Sequence, residues 1–250
     1  MKIINLGFLT AILSFIPVFL LSNNDTDYSN EKRVLFDSVS IFPLLFNNNL
    51  NDINYITGEL GLDKFKSNEN VLFGVDIRFS IDNIILSYMV ANGNSSQERL
   101  IKLNDNDFTT HRKLNYSMSI WGVGVGRKII PSERFILTPS LMGGKGMQIL
   151  DVATCDNYIN IDWSGISDYF SLSTYDNITF KKNYVFLQPK FELAFKITNK
   201  ISINTECGYL WGFPIDDWKI ENMIYSYELG NTPDTDFRGI TFSIGPRLLF

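Results

Sequence analysis

Apolar and polar residues alternate one by one along several stretches of this chain, which is the period of a β-strand with two different faces. From Phe73 to Ser80, for example, the odd-numbered residues are aromatic or aliphatic and the even-numbered ones are small or charged. Eight stretches with this pattern predict eight strands: Val34–Phe46, Val71–Ser80, Asn83–Ala91, Asn115–Lys128, Arg134–Gly143, Tyr184–Ile197, Lys200–Gly212 and Arg238–Phe250.

The connections between these strands alternate in length. Tight turns at Ile81-Asp82, Ile129–Glu133 and Thr198-Asn199 alternate with long polar loops. In an antiparallel up-and-down β-barrel, this places every tight turn at one rim and every long loop at the other. Ten strands remain possible, because Ile53–Leu60 and a hairpin from Tyr169 to Phe180 also read as strands. The four long connections are Asn47–Asn70, Asn92–Leu114, Lys145–Asn183 and Phe213–Phe237.

Two local details follow from the same pattern. A turn at Ile81-Asp82 would pair Phe79 with Ile84, and a slip of one residue would turn the apolar set to the opposite face. The apolar phase slips between Ile120 and Trp121, which predicts a β-bulge.

Alternation alone does not say which face lies inside a barrel. A soluble barrel of the lipocalin type would turn its apolar face inward. The polar face here is rich in glycine and serine, which suits a narrow eight-stranded lumen and favours lipid on the outside. Four aromatic residues near the loop ends of their strands predict an interfacial girdle: Tyr184, Phe186, Tyr209 and Trp211.

The last strand carries a family resemblance. Its alternate positions are Ile240, Phe242, Ile244, Pro246, Leu248 and Phe250. This ending resembles the C-terminal signature of bacterial outer-membrane β-barrels, and the build resembles the small OmpA, OmpX and OmpW class. The resemblance implies that the barrel-assembly machinery reads Phe242, Ile244, Leu248 and Phe250 as an insertion signal. It also implies outer-membrane lipid and a lipopolysaccharide-type surface as partners.

The amino terminus agrees with export. Lys2 precedes an uncharged stretch from Ile3 to Leu21, and polar residues follow. This is the pattern of a secretory signal peptide, so we expect residues 1–22 to be a cleaved signal and residues 23–250 to be the barrel domain. An uncleaved anchor helix is the alternative.

The inward faces carry seven charged residues, and a turn at Thr198–Lys200 sets Glu192 directly opposite Glu206. Two carboxylates in a narrow lumen need cations close by, because buried charges left unpaired are costly. Lys190, Arg78 and Arg247 are within reach. The sequence therefore predicts a plugged lumen with a charge network formed by Asp76, Arg78, Lys190, Glu192, Lys196, Glu206 and Arg247.

Signs of chemistry are few. The net charge of −5 argues against nucleic-acid binding. His111, the single histidine, is expected in the second long loop, with no serine spaced as in a triad. Cys155 is expected in a loop and Cys207 within a strand, so we expect no disulfide. No metal motif or cofactor signature is present, although the acidic fourth loop could hold a cation.

These observations predict a monomeric, non-enzymatic outer-membrane barrel that displays surface loops for adhesion or envelope integrity, with a host or surface ligand at the loops. One alternative is a narrow channel or transporter for small or apolar solutes. A second alternative is a lipid-modifying outer-membrane enzyme.

Overall fold

The computed structural model describes residues 35–59, 61–65, 69–102, 109–156, 174–221, 226–228 and 237–250. The predicted signal peptide, residues 1–22, lies outside them. The described elements, in chain order, are β1 (Leu35–Asn48), α1 (Asn51–Glu59), β2 (Glu69–Ile81), β3 (Ile84–Lys102), β4 (Thr109–Arg127), β5 (Phe135–Asp156), β6 (Thr174–Lys196), β7 (Ile201–Pro214), β8 (Lys219–Glu221), β9 (Ser226–Glu228) and β10 (Arg238–Leu249).

Eight of these strands close into an antiparallel barrel, which confirms the predicted fold class. From β1 to β7 each strand pairs with its neighbour in the chain, β10 pairs with β7, and β1 pairs with β10 to close the ring. The short connections, residues 82–83, 128–134 and 197–200, all lie at one rim, called here the turn side. The opposite rim is the loop side. None of the described helical structure is long and apolar enough to cross a bilayer.

The outside of the barrel is apolar and the inside of its turn-side half is polar. On β10, Ile240, Phe242, Ile244 and Leu248 point outward with 40–57% of their surface exposed. Thr241, Ser243 and Arg247 alternate with them and are buried inside. The other strands repeat this arrangement with exposed residues that include Ile41, Phe73, Leu86, Val123, Leu141, Phe191 and Ile203.

The β2–β3 turn lies one residue later than the sequence predicted. Ile81 pairs with Ile84 and Phe79 pairs with Leu86, so Asp82-Asn83 makes the turn. The predicted pairs were therefore wrong by two residues, although the same residues face outward. Asp82 takes a left-handed φ of 55°, which aspartate tolerates and a β-branched residue such as Ile81 does not.

The predicted bulge in β4 is also wrong. Pairing between β3 and β4 runs without a shift from Ile84–Arg127 to Lys102–Thr109. What changes near Ile120 is the environment of each face. Toward the loop side, Met118 and Ile120 point into an apolar interior, while the outward positions become polar at Ser117 and Ser119. The register does show an irregularity in β1, between Phe36 and Ser38.

Strands β3 to β6 rise well beyond the ring on the loop side. His111 and Cys155, expected in loops, therefore lie on β4 and β5, where they are cross-strand neighbours. The described part of the suggested hairpin, residues 174–180, belongs to β6. Short β8 pairs with the end of β6 and covers its outer edge.

The segment suggested as a possible strand, Ile53–Leu60, is mostly helix in the structure. Ile53 and Thr57 are both fully buried and lie four residues apart, which is the spacing of one helix face. α1 lies over the loop-side mouth, and the following strap, residues 61–65, is attached to it. Asn54 accepts a hydrogen bond from the backbone N–H of Phe65 at 2.7 Å, and the N–H of Leu62 donates to the carbonyl of Thr57.

Two neighbouring glycines on β5 offer a matched test of how tightly the ring is packed. A Cβ at Gly144 would lie 2.1 Å from the carbonyl oxygen of Trp121, whereas one at Gly143 would meet only the carbonyl of Phe186 at 3.7 Å. We expect Gly144→Ala to destabilise the barrel by about 1–3 kcal/mol because backbone must move. Gly143→Ala should change stability by no more than about 0.5 kcal/mol. Urea unfolding in detergent micelles measures both, and equal effects would contradict this packing.

Candidate functional site

The turn-side half of the lumen holds a cluster of buried charges contributed by four strands. β2 supplies Asp76 and Arg78, and β10 supplies Arg247. β6 and β7 supply Lys190, Glu192 and Glu206. Because side chains alternate along each strand, all of them point inward. Each is at most 7% exposed.

Two carboxylates occupy the centre of this cluster. Glu192 and Glu206 are direct cross-strand partners on β6 and β7. Arg247 holds Glu192 through two parallel contacts of 2.5 Å, from Nη1 to Oε1 and from Nη2 to Oε2. Arg78 reaches across the lumen and places its Nη2 2.5 Å from Oε2 of Glu192 and 2.7 Å from Oε1 of Glu206.

The remaining charges complete the pairing. Lys190 donates from Nζ to Oε2 of Glu206 at 3.0 Å, and Arg78 donates from Nε to Asp76 at 2.6 Å. Three cations thus face three carboxylates, and the cluster is neutral when every member is ionised. Lys196, the seventh residue named from the sequence, lies nearer the turns and is half-buried. In the part of the chain that the structure describes, no ion pair joins it to the other six.

An apolar layer fills the loop-side half of the lumen, directly beyond the charges. Phe237 stacks on Tyr184 with their ring centroids 4.5 Å apart and meets Phe46 edge-on at 5.5 Å. Gln148 connects two tyrosines, donating to the hydroxyl of Tyr116 and accepting from that of Tyr184, both at 2.9 Å. Other buried members are Phe42, Leu44, Leu72, Met89, Met118, Ile120, Met142, Phe186 and Leu210.

This apolar layer was missed by the sequence reasoning. Tyr184 and Phe186, predicted for an external girdle, are 0% and 4% exposed and point into the lumen. Trp211 does lie on the outside, with 44% of its surface exposed. The change of apolar phase at Ile120 was the signal that could have revealed the layer.

The mouth is closed on the loop side by α1, the strap and the segment after β7. Leu50, Ile53 and Leu62 are buried against the apolar layer, as is Trp218. Asp216 fixes that segment by accepting from the backbone N–H and side-chain amide of Asn183 at 3.0 and 3.1 Å. Partial burial would raise the pKa of Asp216, but these bonds and Lys219 at 3.0 Å hold its pKa below the usual value.

Among the described residues, the other candidate sites from the sequence do not assemble. His111 has its Nε2 3.8 Å from a carboxylate oxygen of Glu98, which is too long for a hydrogen bond. Glu98 instead binds Lys113 at 2.5 Å, and this hydrogen bond lowers the pKa of the Glu98 carboxyl. In the acidic fourth loop, Asp216 binds Asn183 and Lys219, and residues 222–225 and 229–236 of this loop lie outside the described residues. No three metal-ligating side chains come together within the described ranges.

Comparison with solved structures finds proteins whose overall build is similar to that of this chain. No family model matches the chain, and no curated protein matches it. Ail of Yersinia pestis shares 12% identity over 88% of this chain and 100% of its own, with a TM-score of 0.39. A major outer membrane protein from Thermus thermophilus shares 11% identity over 86% of this chain and 99% of its own, with a TM-score of 0.42. The outer membrane protease OmpT of Escherichia coli shares 8% identity over 90% of this chain and 99% of its own, with a TM-score of 0.27. Similarities of this size say nothing about what the present chain binds or catalyses.

Removing one cation tests whether the charge cluster acts as a unit. Arg247→Met leaves Glu192 with only Arg78, and we expect it to destabilise the barrel by about 3–5 kcal/mol. Adding Glu192→Gln should restore much of the loss, because the uncompensated buried charge is gone. Urea unfolding of the single and double variants measures the coupling.

Lys196→Met is the matched control, since Lys196 lies on an inward face outside the cluster. Its effect should stay below about 1 kcal/mol. A double variant no more stable than Arg247→Met would contradict the pairing described here.

Proposed function

We propose that this protein is an integral, monomeric outer-membrane barrel of a diderm bacterium that displays its loop side at the cell surface and does not conduct solutes. The single observation that carries the proposal is a filled cylinder with an apolar outside. A protein of this form needs lipid around it, and charged and apolar side chains occupy the described part of its interior.

The exposed apolar surface supports the membrane location. In a soluble barrel of the lipocalin type, residues such as Phe73 and Ile41 would point inward. Here they are 67% and 64% exposed, while Asp76 and Arg78 are buried. Transferring this much aliphatic and aromatic surface into water would be strongly unfavourable, whereas hydrocarbon accepts it.

The proposed export and membrane insertion depend on residues 1–22 and on the last strand. Residues 1–22 would direct export and be removed, and residues 23–250 would fold in the outer membrane. Phe242, Ile244 and Leu248 lie on the outward face of β10, and Phe250, the residue after it, is 61% exposed. This continuous apolar edge is what the assembly machinery would recognise. The surrounding partners would be outer-membrane lipid and a lipopolysaccharide-type surface.

The filled lumen favours display over transport. Small eight-stranded barrels have interiors that side chains fill, and here a charge cluster and an apolar layer lie in series. A solute would have to separate Glu192 from two arginines and then displace stacked rings such as Tyr184 and Phe237. On the outside, strands β3 to β6 extend beyond the ring and offer a rigid surface for adhesion or envelope contacts. For a lipid-modifying enzyme, no described cluster supplies a base and a nucleophile.

Planar-bilayer recording tests the closed lumen. We expect the purified barrel to show no conductance steps of porin size, because the charge cluster and the apolar layer both block the axis. The triple variant Phe42→Ala, Tyr184→Ala, Phe237→Ala tests the charge cluster alone, because it removes rings from the apolar layer while keeping every charge pair. We expect this variant also to show no steps of porin size. Porin-sized steps from the unaltered protein would refute the proposal.

Labelling with a membrane-impermeant maleimide tests location and orientation. In a background with Cys155→Ser and Cys207→Ser, the variant Lys64→Cys should react in intact cells because the strap lies on the loop side. Lys200→Cys, in a turn, should react only after the outer membrane is opened. Labelling of Lys200→Cys in intact cells would show that the orientation is inverted.

A further inference from the structure

A row of outward-facing residues on β3 to β6 contains a lysine at the level of a tryptophan. Val90, Trp121, Lys145 and Val185 are successive cross-strand neighbours along this row. Tryptophan is typical of the level at which a bilayer meets water, and Trp121 is 46% exposed on the outside of the barrel. The row therefore marks the loop-side edge of the membrane, and Lys145 places an ammonium group there.

Lys145 lines a groove of about 350 Å³ on the outside of the barrel, together with Ser119, Met147, Asn183 and Ile215. These side chains lie at outward positions, and none of them is buried. No acidic residue lines the groove, and Lys145 forms no ion pair in the part of the chain that the structure describes. The groove therefore presents an accessible positive charge without a protein counter-charge, and its volume is that of a small-ligand site.

A furrow continues from Lys145 toward the turn side. The next outward position of β5 is Gly143, and its cross-strand neighbours are Val123 and Leu187. These two residues are 61% and 40% exposed and stand on either side of the glycine. A Cβ at Gly143 would meet only a backbone oxygen, at 3.7 Å. A furrow with apolar walls below a cation has the form that one acyl chain below a charged headgroup requires.

A second groove lies on the other side of Trp121. Its volume is about 340 Å³, and Tyr88, Val90, Asn92 and Trp121 line it. Tyr88 is 38% exposed and, like Val90, lies at an outward position of β3. Trp121 thus stands between two recesses of the same outward face, and together they offer room for more than one chain.

We propose that this surface, from Tyr88 to Leu187 across β3 to β6, binds one phosphorylated glycolipid with several acyl chains. Lys145 would pair with a phosphate of the headgroup, as basic residues beside membrane-spanning segments do. The hydroxyl of Ser119 can donate to the same phosphate. One chain would lie in the furrow over Gly143, and another would lie beyond Trp121.

A glycerophospholipid is the competing ligand, because it also carries a phosphate. Its two chains and small headgroup would leave part of this surface uncovered. The outward row directly above Lys145 contains Asn92, Ser119 and Asn183, whose hydroxyl and amide groups suit the hydroxyls of a sugar. The proposal rests on the proposed function in that the loop side must face the outer leaflet, which favours the glycolipid.

Native mass spectrometry tests the proposal by counting the lipids bound to each barrel. The purified protein would be kept in dodecyl maltoside, a detergent without phosphate, and mixed with bisphosphorylated lipid A. The same lipid without its phosphates and phosphatidylglycerol serve as comparators. We expect one bound lipid A per barrel, with an affinity at least about five-fold above that of either comparator.

Two variants and two matched controls locate the binding. Lys145→Gln removes the cation and should weaken lipid A binding about five-fold. Gly143→Leu fills the furrow and should weaken binding at least as much. Lys200→Gln removes an exposed cation from a turn, and Thr205→Leu adds a leucine to the outward face of β7. Both controls should bind lipid A like the unaltered protein.

Phosphatidylglycerol binding as tightly as lipid A would overturn the proposal. So would lipid A binding that is unchanged in Lys145→Gln or in Gly143→Leu, or that falls equally in the controls. None of these results would contradict the membrane location or the closed lumen, because surface labelling and conductance test those separately.

Discussion

Closing eight strands into one ring leaves a cylinder only about as wide as the side chains that fill it. Every inward side chain must therefore contact side chains from a strand across the lumen or from a neighbouring strand. In this protein the most demanding partners are the buried carboxylates of Glu192 and Glu206. Arg78 from β2, Arg247 from β10 and Lys190 from β6 surround them. Because a broken pair would leave a charge in a low-dielectric interior, the cluster links β2, β6, β7 and β10 into one unit.

The two halves of the lumen differ in character. In the turn-side half the outside is apolar, and the interior is polar and charged. Toward the loop side the interior becomes apolar, with a core of Phe237, Tyr184 and their neighbours. On β4 the outward residues at this level become polar, at Ser117 and Ser119, whereas on β6 and β7 outward residues such as Val185 and Phe213 stay apolar and exposed. Strand β4 passes from one half to the other without a change in pairing.

The loop side carries the described elements that this chain adds to the eight-stranded ring. β8 covers the edge of β6, α1 covers the mouth, and the strap is fastened to α1 by Asn54. Between β2 and β3 the pairing stops at Phe73–Asn92, so the wall opens toward the loop side.

Much of the architecture was predictable from alternation alone. A period of two over eight stretches, with short and long connections in turn, is a local property of the chain, and it specified the barrel and the sidedness of Asp76, Arg78 and Arg247. It also placed Glu192 opposite Glu206, because the position of a tight turn fixes which residues of the two strands lie opposite one another. Local pattern was insufficient at Asp82, where the choice of turn residue depends on which backbone conformation each side chain tolerates.

The sequence by itself determined which residues of a strand share a face, because successive side chains along a strand point to opposite sides. Only the tertiary structure decided what those residues meet: Arg78 crossing to Glu192, Phe237 stacking on Tyr184, and the strap lying beside a gap in the wall. Such contacts join residues more than fifty positions apart or depend on where two strands separate. They follow from closure of the ring in three dimensions, which the order of residues along the chain does not display.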